Sequence, residues 1–295
     1  MRLGLSYLIQ QFLNILQLGS LYALIAIGYT MVYGVLSLIN FAHGDVFMLG
    51  AFIFFLAALW LKLPFIPALI VTVCVTVCVG VLIERLAYRP LRNAPKMSAV
   101  ITALGVGVFL ENFTLALSPY PQHIPEIVKN RAWVMGQVTV SSIQTIIIAI
   151  SVTLMVILDF LVRKTRFGMA LRAISWDISA VPLMGIPVNR IISQTFALGA
   201  ALGGAAGVMY SLAYPVIDPY MGIMIGWKAF ISAVVGGIGN VRGAMTGGFI
   251  LGTVEIAVTM FLPSTYRDIV AFTLLFVLLI FRPHGIFGTA RSVKL

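Results

Sequence analysis

ERLAYRPLRNAPK, residues 84–96, carries Arg85, Arg89, Arg92 and Lys96 and stands between two apolar runs, 65–83 and 98–117. A bilayer core about 30 Å thick is crossed by about 20 apolar residues of helix, and both runs have that length. Basic residues gather in the cytoplasmic loops of membrane proteins, so this stretch predicts a cytoplasmic turn between two membrane-spanning helices. The composition agrees. Of the 295 residues, 61% are hydrophobic and 9% charged, which excludes a soluble domain. No run alternates as a barrel strand would, so the expected fold is all-α, one polytopic helical membrane domain over residues 1–295. The net charge of +10 comes from bases lying mostly in short loops beside apolar runs. Their expected partner is lipid headgroups, and no nucleic acid is implied.

The remaining runs follow the same logic. The first, 8–36, is far longer than the roughly 7–15 apolar residues of a signal peptide and reads as a span. It is also longer than the membrane needs, which predicts a tilt or a break near Gly19, Gly28 or Gly34. A second run covers 46–61. The fourth, 98–117, ends at SPYPQHIPE, whose prolines stop the helix, and the connection to about residue 140 is expected to be an external loop. Run 141–162 returns to Arg163, Lys164 and Arg166, so a second basic loop falls on the cytoplasmic side. Runs 191–213, 225–235, 244–262 and 269–281 complete the chain, giving eight or nine crossings with a cytoplasmic C-terminus. Arg190, Arg242, Arg282, Arg291 and Lys294 then lie inside. Lys62, Lys129, Arg131, Lys228 and Arg267 lie outside, and Arg2 is left unassigned.

Catalytic and metal-binding patterns do not emerge. His43, His123 and His284 fall in three separate connections, and GGIGN lacks the lysine and hydroxyl of a phosphate loop. Neither a cofactor nor an enzyme is expected. Cys74 and Cys78, four apart in one apolar run, read as buried packing.

Polar residues inside the apolar runs are the candidates for a path. Glu111 and Glu255 are either lining groups of an ion or solute route or interhelical hydrogen-bonding groups, with Asn112 beside Glu111. Asn40, His43 and Asp45 in LINFAHGDVFMLGA have two readings. One is an interrupted helix whose polar groups line a path; the other is a turn in which Asp45 caps the next helix. Glu84 beside Arg85, and Asp159 near Arg163, read as interfacial pairs. Gly199, Gly203 and Gly207 recur every four residues, a pattern that favours close helix packing. The glycines of VVGGIGNVRGAMTGG, Gly236, Gly237 and Gly239 among them, permit a broken helix or close packing, with the pairs Gly243 and Gly247, and Gly248 and Gly252, favouring packing.

Residues 167–190, FGMALRAISWDISAVPLMGIPVNR, are too polar to span and too hydrophobic for a solvated loop. Two readings remain open, a helix along the membrane surface or a docking knob for a soluble partner.

Taken together, LINFAHGDVFMLGA, ERLAYRPLR, ITALGVG, FGMALRA with LMGIPV, AFISAVVGGIGNVRGAMTGG and RPHGIFG resemble the permease subunits of ABC importers for branched-chain amino acids. That family also includes urea and short-amide importers. The resemblance implies a second permease subunit, like or unlike, two cytoplasmic ATPase subunits, an extracytoplasmic substrate-binding protein and a bacterial inner membrane. It further implies that residues 163–190 form the coupling loop to the ATPases, through Phe167, Gly168, Leu171, Arg172, Asp177, Ala180 and Gly185. In the motif that such loops carry, Ala180 and Gly185 match, while Ser179 stands in place of the acid and Val181 in place of the second alanine. The contrasting reading is an ion-coupled transporter or channel using Glu111 and Glu255.

Overall fold

The computed structural model describes residues 4–92 and 94–288, and its helices follow the apolar runs. α1 (Leu5–Leu36), α2 (His43–Leu59), α3 (Phe65–Ile83), α4 (Lys96–Leu117) and α5 (Ser142–Lys164) come first. α6 (Arg166–Trp176), α7 (Val188–Ala213), α8 (Met221–Gly236), α9 (Val241–Phe261) and α10 (Tyr266–Phe281) complete an all-helical bundle. Length and composition qualify six of these to cross a bilayer: α1, α4, α5, α7, α9, and α3 with the π-helical turn that extends it to Tyr88. α2 and α8 are apolar but shorter, so the expected eight or nine crossings are not reached on length alone.

The connection after α4, expected as a plain loop, contains short strands. β2 (Ala132–Met135) and β3 (Val138–Ser141) form a hairpin, and β1 (Gln122–His123) pairs antiparallel with β4 (Val216–Ile217) after α7. Ser6 Oγ donates to Gln137 at 2.7 Å, and the Thr139 amide donates to Gln10 at 2.9 Å. The start of α1 therefore sits at this end of the bundle. At the opposite end Arg242, at the start of α9, bonds Asp159 near the end of α5 at 2.9 Å. There too the backbone amides of Ile286 and Phe287, in the RPHGIFG stretch, donate to Val235 and Gly236 at the end of α8. Arg291, Lys294 and Arg2 lie outside the described residues.

α1 is the spine. It runs 32 residues without a break, about 48 Å at 1.5 Å per residue, and its second half is almost wholly buried. Of the two expected accommodations, a tilt or a break near a glycine, the break does not occur, and the glycines carry packing instead. Gly19 lies under Phe249, Gly252 meets Gly19, Gly248 meets Ala23, and Gly34 faces Gly239. That series sets α9 antiparallel along α1. Lipid tails are as apolar as leucine, so such helices associate through van der Waals fit, which small residues make closest. α7 repeats the device. Gly199 backs onto Gly28, Gly203 onto His43, and Gly207 onto the backbone of α2 at Phe47. Gly236 and Gly243 do the same at the α8–α9 corner, whereas Gly237 and Gly239 have φ of +106° and +95° and serve the turn itself.

One expectation is corrected here. Cys74 and Cys78 are exposed on the outer face of α3, a face of apolar side chains suited to lipid or another subunit. Lys228, placed at the outer side within run 225–235, does stand in α8, and what the charge reading did not foresee is that its side chain is mostly buried.

Candidate functional site

The interruption between α1 and α2 builds the site. α1 ends at Ser37 in the left-handed conformation (φ +51°), and residues 38–42 turn back along it. Gly34 at the end of α1 faces Gly239, yet His43 already stands against Gly28 and edge-on to Tyr29, ring centroids 4.8 Å apart. The chain has thus turned back along α1 before α2 begins. α2 starts inside the bundle. Asp45 is no cap for it: Ala42 holds that position without a side-chain bond, and Asp45 lies in the first turn, 5% exposed. Asn40, also buried, accepts a hydrogen bond from the Tyr88 hydroxyl at 3.0 Å, tying the returning segment to the end of α3. His43 is packed between α1 and α7.

Asp45 has a seat made of glycine. Gly107 of α4 lies under its Oδ2, and a Cβ at Gly222 of α8 would fall 2.9 Å from its Oδ1. Gly44 and Gly222 bring the first turns of α2 and α8 into backbone contact, with Gly226 beside the Tyr29 hydroxyl. The Asp45 carboxyl faces that of Glu111 on α4. Both border a cavity of about 230 Å³ whose other wall is aromatic. In that wall Phe41 and Trp227 lie 5.8 Å apart, Trp227 and Phe230 6.0 Å, and Tyr29 and Phe230 6.2 Å.

Other sequence candidates go elsewhere. Asn112 points to the exposed face and bonds Val108 O at 2.8 Å in its own helix. Glu255 does not border this cavity: it is 1% exposed, paired with Lys228 at 3.0 Å and accepting from the Tyr22 hydroxyl at 3.0 Å. Lys228 also reaches Asp268 at 2.8 Å, so α1, α8, α9 and α10 meet in one polar cluster. Glu84, fully buried on the π-helical turn, pairs with Arg92 rather than the adjacent Arg85, and accepts from Ser193 at 2.6 Å. Asp159 pairs with Arg163 as expected, and with Arg242 as well.

In the segment after α5, Thr165 caps α6 by accepting from the Gly168 amide at 3.3 Å. Gly168 lies hard against Val162 O, where a Cβ has no room, and the Arg172 guanidinium donates to the same carbonyl. Leu171 turns inward and Phe167 is half-buried. Asp177 accepts from the amides of Ser179 and Ala180 at 2.8 and 3.1 Å, an Asx turn that starts the 3₁₀ turn Val181–Met184. Gly185 closes it at φ +74°. Trp176, 91% exposed, and Leu183, 89% exposed, project from the bundle with Met169 and Met184 beside them. No group of three metal-ligating side chains occurs among the described residues.

Sequence reasoning missed Tyr88, Lys228, the aromatic wall and the glycine seat. ITALGVG and the spacing of Gly222 and Gly226 offered a signal for the seat, but only as small residues on a helix face.

The family described as "Branched-chain amino acid transport system / permease component" matches residues 11–279. The chain belongs to that permease family. It is 41% identical to the high-affinity branched-chain amino acid transport system permease protein LivH of Salmonella typhimurium, over 98% of each chain. LivH of Escherichia coli is 40% identical over 98% of each chain, and BraD of Pseudomonas aeruginosa 40% over 97% of each. The protein is therefore a membrane-embedded permease subunit of an ABC importer, not an enzyme, and ATP hydrolysis belongs to separate subunits.

Proposed function

We propose that this permease carries branched-chain amino acids, leucine, isoleucine and valine, across the bacterial inner membrane by alternating access. The names of three relatives at 40–41% identity over nearly the whole chain carry that reading. Two permease subunits, like or unlike, form the pathway between them. Two ATPases dock on the cytoplasmic face, and an extracytoplasmic binding protein delivers the substrate. Residues 163–190 are the coupling segment. In support, the apolar side chains of Met169, Trp176, Leu183 and Met184 are exposed in a segment that also contributes Arg172 to a basic cleft with Arg163 and Arg242. Apolar anchors with arginines around them suit a protein interface.

The path runs past Asn40, His43, Asp45 and Glu111, where two short helices meet inside the bundle. Discontinuous helices are how transporters place backbone and polar groups at membrane depth. Nine crossings follow if α2, α8 and α10 traverse with the six longer helices, with the start of α1 outside, beside the β2–β3 hairpin.

ATP binding closes the ATPases, their movement passes through α6 into α5 and α7, and the pathway opens outward to receive substrate; hydrolysis resets it. Leucine uptake into vesicles containing the permeases, ATPases and binding protein tests the whole reading. Uptake that requires ATP and all partners is expected. Uptake driven by an ion gradient with the ATPases absent would overturn it.

A further inference from the structure

We propose that the Asp45–Glu111 pocket recognises a primary ammonium group, the amino end of the passing substrate, with the apolar side chain laid on the aromatic wall. The proposal rests on the importer reading above and adds what holds the substrate on the way.

Three independent features converge. Asp45 is 95% shielded and borders the cavity, and its neighbour there is a second acid. None of the ion pairs among the described residues includes Asp45 or Glu111. Every other buried acid in the bundle has a base: Glu84 has Arg92 and Glu255 has Lys228. Facing carboxyls in a low-dielectric setting require a proton or a cation between them. This pair is the place where no base of the described chain meets that requirement, which leaves it to a proton shared by the two carboxyls or to a cation that takes its place.

The second feature is the wall. Tyr29, Phe230, Phe41 and Trp227 form a continuous run of rings along the cavity. Ring faces attract ammonium groups within about 6 Å, and they offer a carboxylate nothing comparable. They also supply the apolar surface that a branched aliphatic chain prefers. The third feature is the seat. Gly107 and Gly222 leave room beneath Asp45 that any side chain would fill, so its carboxylate is held by the packing of α4 and α8 and directed to the cavity. At about 230 Å³ the space is below the roughly 300 Å³ of the smallest drug-sized pockets, a size for a small amino acid rather than a peptide. Leu104, Val108, Ile223 and Trp227 around it are exposed, so the pocket opens on an outer face of the protomer. The proposal places that face on the pathway between two paired permeases.

The competing account is a shared proton alone, an acid pair that stabilises α2 against α4 and meets no ligand. Saturation-transfer NMR on the permease–ATPase complex in nanodiscs separates the two. The probes are isoamylamine and 4-methylpentanoate, which share leucine's branched chain and keep one of its charges each, with empty nanodiscs subtracted. Transfer to isoamylamine, displaced by L-leucine, with none to 4-methylpentanoate, is the expected result. In the Asp45→Asn/Glu111→Gln double variant the amine should lose roughly tenfold or more in affinity, as loss of a charge-assisted contact does. Trp227→Ala should weaken it as well while leaving both acids in place. Equal transfer to the two probes, or an amine signal unchanged in the double variant, would overturn the ammonium site. The parent comparison decides alone if the double variant does not fold. ATP-driven leucine uptake by the parent in vesicles is measured alongside. Uptake without amine preference rejects the pocket's role only, whereas no ATP-driven uptake rejects the importer reading and the pocket with it.

Discussion

Gly107 and Gly105 lie two positions apart on α4 and give opposite predictions. A methyl at Gly107 meets Asp45 Oδ2, while one at Gly105 meets nothing within 4 Å. Gly107→Ala should lower stability by about 1–3 kcal/mol, the usual result of overpacking. Gly105→Ala should be neutral or gain about 0.4–1 kcal/mol through the unfolded chain. Thermal unfolding of the two purified variants checks this, and equal midpoints would contradict the seat. The sequence made Asp45 and Glu111 visible as costly residues, because acids in apolar runs stand out. It could not say that they face one another, since 66 residues and two connections separate them and nothing in helical periodicity sets that distance. The burial of Lys228 was hidden for a related reason: its partners Glu255 and Asp268 come from α9 and α10, which the sequence does not set beside it.

At the scale of elements, two ion pairs at the same end of the bundle should behave differently. Arg92 answers a fully buried Glu84 where α3 meets α7, and Arg92→Ala leaves that charge unpaired, at a cost of about 3–5 kcal/mol. Arg242 and Asp159 bridge α5 to α9 with the arginine more than half exposed, so Arg242→Ala should cost far less than Arg92→Ala. Denaturation midpoints compared across the two variants check the order, and a reversed order would refute the burial argument. Most element boundaries were legible: run 65–83 coincides with α3, and the others agree within a few residues. Apolar length and basic loops carry that information directly. The retreat of residues 38–42 was legible only as an alternative, because turning back into the bundle and turning in water use the same residues. The strand pairs were not legible at all, being two to four residues long and fixed by a partner across the bundle end.

For the whole molecule, the arrangement of the ends predicts an external start for α1, since its first turns bond the β2–β3 hairpin and the arginines gather opposite. A cysteine placed at Ser6 should react with an impermeant maleimide added outside intact cells, and one placed at Ser179 should react only after the cells are opened. Reaction of both from the same side would contradict the topology. The central claim is that the coupling segment at residues 163–190 passes the ATPases' work to the pathway, and it is tested most directly by measuring leucine uptake and ATP hydrolysis in parallel. Leu183 and Trp176 project from the bundle, so Leu183→Asp and Trp176→Asp should leave the permease inserted and folded. Uptake should fall roughly tenfold or more, as loss of interface anchors worth ~2 kcal/mol each would require. Parent-level uptake, at the parent number of ATP hydrolysed per leucine, would contradict the account.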